Sequence, residues 1–481
     1  MSLKKGQILD VEISDVAFGG RGLTKVNGLA VFVDQAAPLD QARIRIIRTR
    51  RNYAEALLVE LLRPSPHRVE PPCRYSGTCG GCKWQFLAYA KQLEHKRRHV
   101  VEALEHIGQL RDIPVHETIA SPNIFHYRNK MEFTFSDRRW LMPAELGRPD
   151  VRRDFALGLH VPGTYDKVLD TRACLLQPES GNTLLGRVRE FARASEEPAY
   201  GLKSHTGFWR FLVLRHSKAD DRWMVNIVTA ADKRHHLRPL VDSLTADHPE
   251  IAAVVNNVTS RRAGIAQGEY EIHLAGEPCI TDRIGDFEFE ISANSFFQTN
   301  TPGAERLVAI VKDYAGLRGG ERVLDLYSGT GTMAIGLSLA ASAVTGIEIV
   351  ASAVADAVKN CRRNRIDNCR FLLGDILDVL PRVSDVPDVL IIDPPRVGMH
   401  QKVLQRVAAM GAERIVYVSC NPATLARDLA LMRERYSVRE VQPVDMFPHT
   451  HHIEAVARLE KKKNHLPGFG ADPHAGGGTN R

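Results

Sequence analysis

The chain has 481 residues, 44% of them hydrophobic and 25% charged, with a formal net charge of +7. That length predicts about three domains, the mean hydropathy of −0.22 excludes a membrane protein as a whole, and eight cysteines are too sparse for a disulfide scaffold. The amino terminus, MSLKKGQILDVEISD, lacks the apolar core of a secretory signal, so a cytoplasmic, monomeric protein without membrane attachment is expected. The charge is uneven. Residues 1–110 carry 17 Lys/Arg against 11 Asp/Glu, an excess of +6. A basic module ahead of a nearly neutral body predicts an anionic partner, nucleic acid being the commonest.

Residues 1–63 read as β-rich. Strand-like stretches at 6–13, 29–34, 42–49 and 53–62 are separated by turn signals such as Gly19-Gly20-Arg21-Gly22 and Asn27-Gly28. Ala42-Arg43-Ile44-Arg45-Ile46 alternates strictly, which gives one apolar face and one arginine face. A charged face is, on its own, ordinarily just a solvated one. Pro64, Pro66, Pro71 and Pro72 form a stiff linker.

Residues 64–284 form a middle domain. It opens with Cys73-x5-Cys79-x2-Cys82, set among Gly77, Gly80 and Gly81, and a fourth cysteine, Cys174, follows much later. Four thiolates from two segments fit a structural zinc ion or an iron–sulfur cluster, and spacing does not separate the two. Cys279, Cys361 and Cys369 have no partners at ligand spacing. A helical pattern covers 84–107, and short strands near 131–135, 211–216, 223–229 and 253–258 make the rest α+β.

From 285 to 460 strand and helix alternate. This rhythm predicts a parallel sheet with helices on both faces. Ligands in such sheets sit outside the carboxyl ends of the strands, and Asp325, Glu348, Asp375, Asp393 and Cys420 all fall there. Residues 461–481, rich in Lys, Gly and Pro, read as a disordered tail.

Asp325-Leu326-Tyr327-Ser328-Gly329-Thr330-Gly331 places an acid before a glycine loop. Gly329-x-Gly331-x-x-Ala334 loosely fits a dinucleotide fingerprint, a weak signal alone. The preceding acid better suits S-adenosylmethionine (SAM), because it can face an ammonium group and there is no pyrophosphate to repel. Glu348 can accept both ribose hydroxyls, and Asp375 can receive an adenine amino group or brace its loop. In Asp393-Pro394-Pro395-Arg396, Arg396 stands where amino-directed nucleic-acid methyltransferases carry an aromatic residue, which argues against exocyclic amine chemistry.

Cys420, in Ser419-Cys420-Asn421-Pro422, sits at a strand end. A cysteine in such a place is most often a small packed hydrophobe. On the ligand side, beside Asp393, it is also a candidate nucleophile. Uracil carbon-5 is too weakly nucleophilic to take a methyl group unless a thiolate first adds to carbon-6. A base must then remove the carbon-5 proton. Glu454, in His451-His452-Ile453-Glu454, is the candidate, with a plain surface acid as the alternative.

With SFFQTN at Ser295–Asn300, DLYSGTGT, IDPPR, SCNP and FPHTHHIE at Phe447–Glu454, the chain resembles the RNA uracil-5-methyltransferases, most closely the branch acting on 23S ribosomal RNA. The resemblance implies an N-terminal TRAM domain, an OB-like RNA-binding β-barrel, then an iron–sulfur middle domain and a C-terminal α/β class I (Rossmann-like) methyltransferase domain. It implies Gln298, Tyr327, Thr332, Glu348, Asp375 and Asp393 as cofactor residues, Cys420 as nucleophile and Glu454 as base. It also implies that Cys73, Cys79, Cys82 and Cys174 hold a 4Fe–4S cluster, and that the helix near 84–118 packs on the catalytic domain. Thr332 departs from the family's usual asparagine, and His452 from its usual glycine-histidine before the glutamate. Phe296 or Phe297 is a candidate to stack on a flipped base. Transfer RNA is the alternative substrate, and a non-catalytic RNA-binding or assembly protein is the rival from another class.

Overall fold

The computed structural model describes residues 3–383 and 385–462. The segment 463–481, most of the expected tail, lies outside the described residues, and Lys461 instead ends a strand. Among the described residues no helix is long and apolar enough to cross a membrane.

The N-terminal unit contains β1 (Ile8–Glu12), β2 (Asp15–Val16), β3 (Gly22–Val26), β4 (Leu29–Asp34), β5 (Gln41–Thr49) and β6 (Tyr53–Arg63). They form one sheet in the order β1-β5-β6-β4-β3-β2. The two edge strands are separated only by Ile13 and Ser14, so the sheet has to curl. Its inner face is the alternating set foreseen along β5, with Ala42, Ile44 and Ile46 buried against Val31, Val33 and Ala54. The outer face is less positive than the arginines alone suggest. Arg43 bridges Asp10 and Glu60, each at 2.8 Å, and Arg21 lies 3.3 Å from Glu55.

Helix α1 (Tyr89–Glu102) runs into a wider helical turn at Ala103–Ile107. The middle sheet takes β7 (Lys130–Ser136) with its neighbour pair β8 (Arg139–Trp140) and, after β9 (Ala156–Gly158), β10 (Val168–Leu169). Then come α2 (Glu179–Ala194), β11 (Trp209–His216), β12 (Trp223–Thr229), α3 (Arg234–Asp247), β13 (Ile251–Val258) and β14 (Tyr270–Gly276). The sheet order is β14-β13-β12-β11-β7-β9. Both helices cover one face, where Leu184, Leu185, Val188, Leu237, Leu240 and Val241 meet Leu212 and Ile227.

A hairpin, β15 (Ile280–Ile284) and β16 (Phe287–Ile291), leads to α4 (Thr301–Ala315). The last unit alternates β17 (Arg322–Leu326), α5 (Thr332–Ser338), β18 (Ala343–Glu348), α6 (Ala351–Arg363), β19 (Cys369–Leu373), α7 (Ile376–Val379), β20 (Val389–Ile392), α8 (Gln401–Met410), β21 (Arg414–Ser419) and α9 (Pro422–Met432). It closes with β22 (Tyr436–Val444) and β23 (Glu454–Lys461). The order is β19-β18-β17-β20-β21-β23-β22, with the first five strands parallel and β23 antiparallel between β21 and β22. Two apolar cores sandwich this sheet. Val100, Ala103 and Leu104 of the middle segment enter one of them, against Leu425, Ala426 and Leu429. Val115 and Ile119 pair in parallel with Val441 and Val444, so the same segment extends the outer edge of the catalytic sheet.

Candidate active site

The parallel strands end along one edge, and most of the nominated residues lie on it. Asp325 is fully buried and neither carboxyl oxygen has a hydrogen-bond partner. Burial, reinforced by Asp393 and Glu348, raises its pKa well above the ordinary range. A carboxylate left without partners in a buried setting is costly, which is why the protonated form is favoured here. Tyr327 follows in the left-handed region at φ 65°, where a non-glycine side chain is strained. The chain then turns through Gly329 and Gly331. A Cβ on Gly331 would come within 3.0 Å of the Phe371 ring and 3.2 Å of Ala357, so only glycine permits this approach. Thr332 opens α5.

Glu348 ends β18. Its carboxylate accepts from the Gly329 amide at 3.0 Å and from the Ile349 and Val350 amides at 2.8 Å. The glycine loop is thereby tied to the neighbouring strand. Asp375 caps α7 by accepting from the Leu377 amide at 2.8 Å, which gives it the bracing role. Gln298 comes from a loop ahead of α4 rather than from the strand edge. Asn129 Nδ2 donates to the Gln298 carbonyl at 2.8 Å, Asn129 N donates to the Thr299 carbonyl at 2.9 Å, and Arg215 donates to the Ser295 carbonyl. Thr330 donates to the Phe296 carbonyl at 3.4 Å, which sets this box beside the glycine loop. Phe297 is buried against Phe289, so it is a core residue, and Phe296 is the exposed one of the pair.

Cys420 and Glu454 meet at the end of the β21–β23 ladder. Ser419 pairs with Ala455, so the next residue on each strand, Cys420 and Glu454, face one another beyond it. Burial pushes the Cys420 thiol up to about 11, with Glu454 and Asp393 adding to the rise and Arg396 opposing it. Burial and Asp393 raise Glu454 well above the ordinary carboxylate range, and burial pushes Asp393 up to about 7. A thiol and two carboxyls of raised proton affinity therefore share one small site, an arrangement suited to moving a proton. The Arg396 carbonyl accepts from Asn421 Nδ2 at 3.0 Å, which locks the loop after β20 to the start of α9.

The segment between β22 and Glu454 is held by residues that the sequence did not single out. On α1, Gln92, Lys96 and His99 recur on one face and are buried. Lys96 Nζ lies 2.6 Å from Asp445, with both side chains fully buried, and donates to the Phe447 carbonyl at 3.1 Å. Tyr89 donates to Asp445 at 2.8 Å. The His449 amide donates to Gln92 Oε1 at 2.9 Å, and the His449 carbonyl accepts from the Lys83 and Trp84 amides at 2.9 Å. The one signal for this face is the i, i+4, i+7 spacing of polar residues, which by itself reads as a solvated stripe.

Cys73, Cys79, Cys82 and Cys174 line one cavity of about 360 Å³, together with Gln85, Arg128, Lys130 and Thr299. Burial pushes Cys79 and Cys82 up to about 12 and also raises Cys174. Among the described residues no group of three or more His, Cys, Asp or Glu side chains is arranged to hold a metal ion. Cys361 and Cys369, which have no partners at ligand spacing, are neighbours that act on each other's thiol, and Cys369 Sγ donates to the Ala334 carbonyl at 3.7 Å.

The model of the tRNA (Uracil-5-)-methyltransferase family matches residues 253–373 and 384–462, and that of the TRAM domain matches 2–59. An uncharacterized RNA methyltransferase of Chlorobaculum tepidum is 40% identical over 95% of this chain and 97% of its own length. The chain belongs to the RNA uracil-5-methyltransferase family. A second relative in this SAM-dependent family, an uncharacterized RNA methyltransferase of Bacteroides thetaiotaomicron, is 38% identical over 92% of this chain and 100% of its own. The solved structure of Pyrococcus abyssi tRNA (uracil-54, C5)-methyltransferase in complex with S-adenosyl-L-homocysteine is similar with a TM-score of 0.73, 29% identity, and coverage of 94% of this chain and 100% of that one.

Proposed function

We propose that this protein methylates carbon-5 of uridine in RNA, using Cys420 as nucleophile and Glu454 as base. The observation that carries the reading is the register that ends at Ser419 and Ala455 and sets Cys420 and Glu454 one residue beyond it, with Asp393 acting on both. SAM fits that edge. The unpartnered carboxyl of Asp325 suits its ammonium, Glu348 suits its ribose, and Gln298, Tyr327, Thr332, Asp375 and Asp393 border the same place. When bound, SAM supplies an electrophilic methyl group. Cys420 loses its proton to the Asp393 carboxylate, which leaves Glu454 free to act as base, and adds to uracil carbon-6, which makes carbon-5 nucleophilic. After carbon-5 is methylated, Glu454 takes its proton, the carbon-6 to sulfur bond breaks, and the thiolate is released. The uridine has to leave its stack to reach Cys420, at a cost of a few kcal/mol.

The TRAM domain and the four cysteines favour 23S ribosomal RNA. Transfer RNA is the second reading, favoured by the Pyrococcus abyssi enzyme. Nucleoside mass spectrometry decides between them on RNA from a strain lacking this protein, before and after treatment with the purified protein and SAM. New 5-methyluridine in 23S RNA supports the first reading. Its appearance in transfer RNA alone supports the second, and its absence from both supports a non-catalytic RNA-binding protein.

For the cysteine cavity we propose a 4Fe–4S cluster. All four thiols border one space of about 360 Å³, and the family resemblance, rather than their spacing, favours the cluster over zinc. Methyl transfer needs no redox step, so the role proposed for it is structural or RNA-positioning. Anaerobically prepared protein should contain iron and acid-labile sulfide and absorb visible light. Bound zinc would defeat the assignment.

A further inference from the structure

The turn between β2 and β3 leaves the N-terminal sheet and reaches the segment that ends in Glu454. Lys83 Nζ donates to the Gly19 carbonyl at 3.0 Å, and Trp84 Nε1 donates to the Gly20 carbonyl at 3.1 Å. His99 Nε2 lies 2.9 Å from the Val16 carbonyl, and Arg98 pairs with Asp15. Gly20 has φ 86°, and a Cβ there would lie 3.1 Å from Trp84 and 3.2 Å from His451. Turn and catalytic segment are therefore in contact, and the joint is held from several sides.

Phe18 stands at this joint. Its ring meets His99 and His451 edge-on, at 5.9 and 6.1 Å, yet the side chain is 48% exposed. The His451 ring is 4.1 Å from that of His452, and His452 Nδ1 lies 3.4 Å from the Arg396 guanidinium. The charge of Arg396 acts in turn on Cys420 and Glu454. Side chains thus run from Phe18 through His451 and His452 to Arg396, whose charge reaches the proposed nucleophile. Burial pushes His451 and His452 down to about 3 and about 4, so they present flat neutral rings. Arg396 supplies the positive charge. Flat aromatic faces beside a guanidinium are what an unstacked RNA strand requires: rings for bases and a cation for the phosphate.

We propose that Phe18 is the stacking platform for an RNA base next to the target uridine, with Arg396 holding the phosphate between the two. The proposal rests on the RNA uracil-methylation reading and adds a subsite supplied by the N-terminal domain.

Full-length Phe18→Ala and Phe18→Tyr test it. With 23S and transfer RNA from a strain lacking the protein, Phe18→Ala should raise KM for RNA about tenfold, the usual effect of losing one stacked base. Its kcat and SAM affinity should match the wild type, and Phe18→Tyr should restore KM. In a short single-stranded RNA with 2-aminopurine beside the target uridine, the wild type should quench the fluorescence and Phe18→Ala should not. Equal KM and equal quenching in wild type and Phe18→Ala would overturn the platform while leaving the enzymatic reading intact. A wild type that methylates neither RNA would remove both.

Discussion

Two places in this protein gather buried thiols, and they are built differently. Cys420 stands between carboxyl groups, with Glu454 and Asp393 acting on it and Arg396 opposing them. At the other site Cys79 and Cys82 are lowered by hydrogen bonds from Gly81 and Gln85, and the charges that act on them are those of their fellow cysteines. Burial raises the thiols at both, to about 11 at Cys420 and about 12 at Cys79 and Cys82. Burial therefore does not distinguish a nucleophile from a ligand, but the neighbours do. A single thiol with a carboxylate beside it can hand over its proton and recover it. Several thiols around one cavity lose theirs together when a cation replaces them.

The sharpest way to break this contrast is to remove one thiol and read both sites. Cys420→Ala should lower methyl transfer by about four orders of magnitude or more, with metal content and visible absorption unchanged. A loss of both would mean that the two sites are one unit. The next effect falls on the base. Glu454→Gln should slow product formation by about 10²–10⁴-fold and let the covalent protein–RNA adduct accumulate on denaturing gels. Slow turnover without an adduct would return Glu454 to an ordinary buried acid.

The remaining predictions concern what supports the catalytic edge. Lys96→Met leaves Asp445 buried without its partner and should cost about 3–5 kcal/mol in denaturant unfolding. Replacing both, Lys96→Met with Asp445→Leu, should recover much of that stability. The smallest effect is expected at Asp325. Its carboxyl is held protonated well above the ordinary aspartate value of 3.8, so the native state binds the proton more tightly than the unfolded chain does. The stability this group contributes is fully present below that value and is lost as pH rises toward its native pKa. Asp325→Asn removes the loss. A gain of about 1 kcal/mol would raise Tm by about 2–4 °C at neutral pH, the gap over wild type should shrink in acid, and SAM binding should weaken.

The sequence went a long way toward the catalytic edge. The alternation of strands and helices, and the acid or cysteine ending each strand, put Asp325, Glu348, Asp393 and Cys420 on one side of the sheet before any coordinates. These signals are legible because each lies within a few residues of a strand end, where chain geometry leaves little choice. The family resemblance implied that the helix near 84–118 packs on the catalytic domain, but the residues that make the contact were not legible. Gln92, Lys96 and Tyr89 hold a segment some 350 positions away, and polar residues on a helix face ordinarily mean solvent. The ion pairs of Arg43 were hidden in the same way, since Asp10 and Glu60 reach it only when three strands pair.

What the sequence determined by itself was local chemistry: which residue types end which strands, where glycines admit close approach, and which cysteines fall at ligand spacing. The tertiary structure decided which of these groups share a site. It set Glu454 opposite Cys420 through the β21–β23 register, brought the α1 segment under the catalytic loop, and laid Phe18 of the N-terminal domain against His451. Periodicity records a residue's relation to its own element, whereas these contacts depend on how separate elements pack.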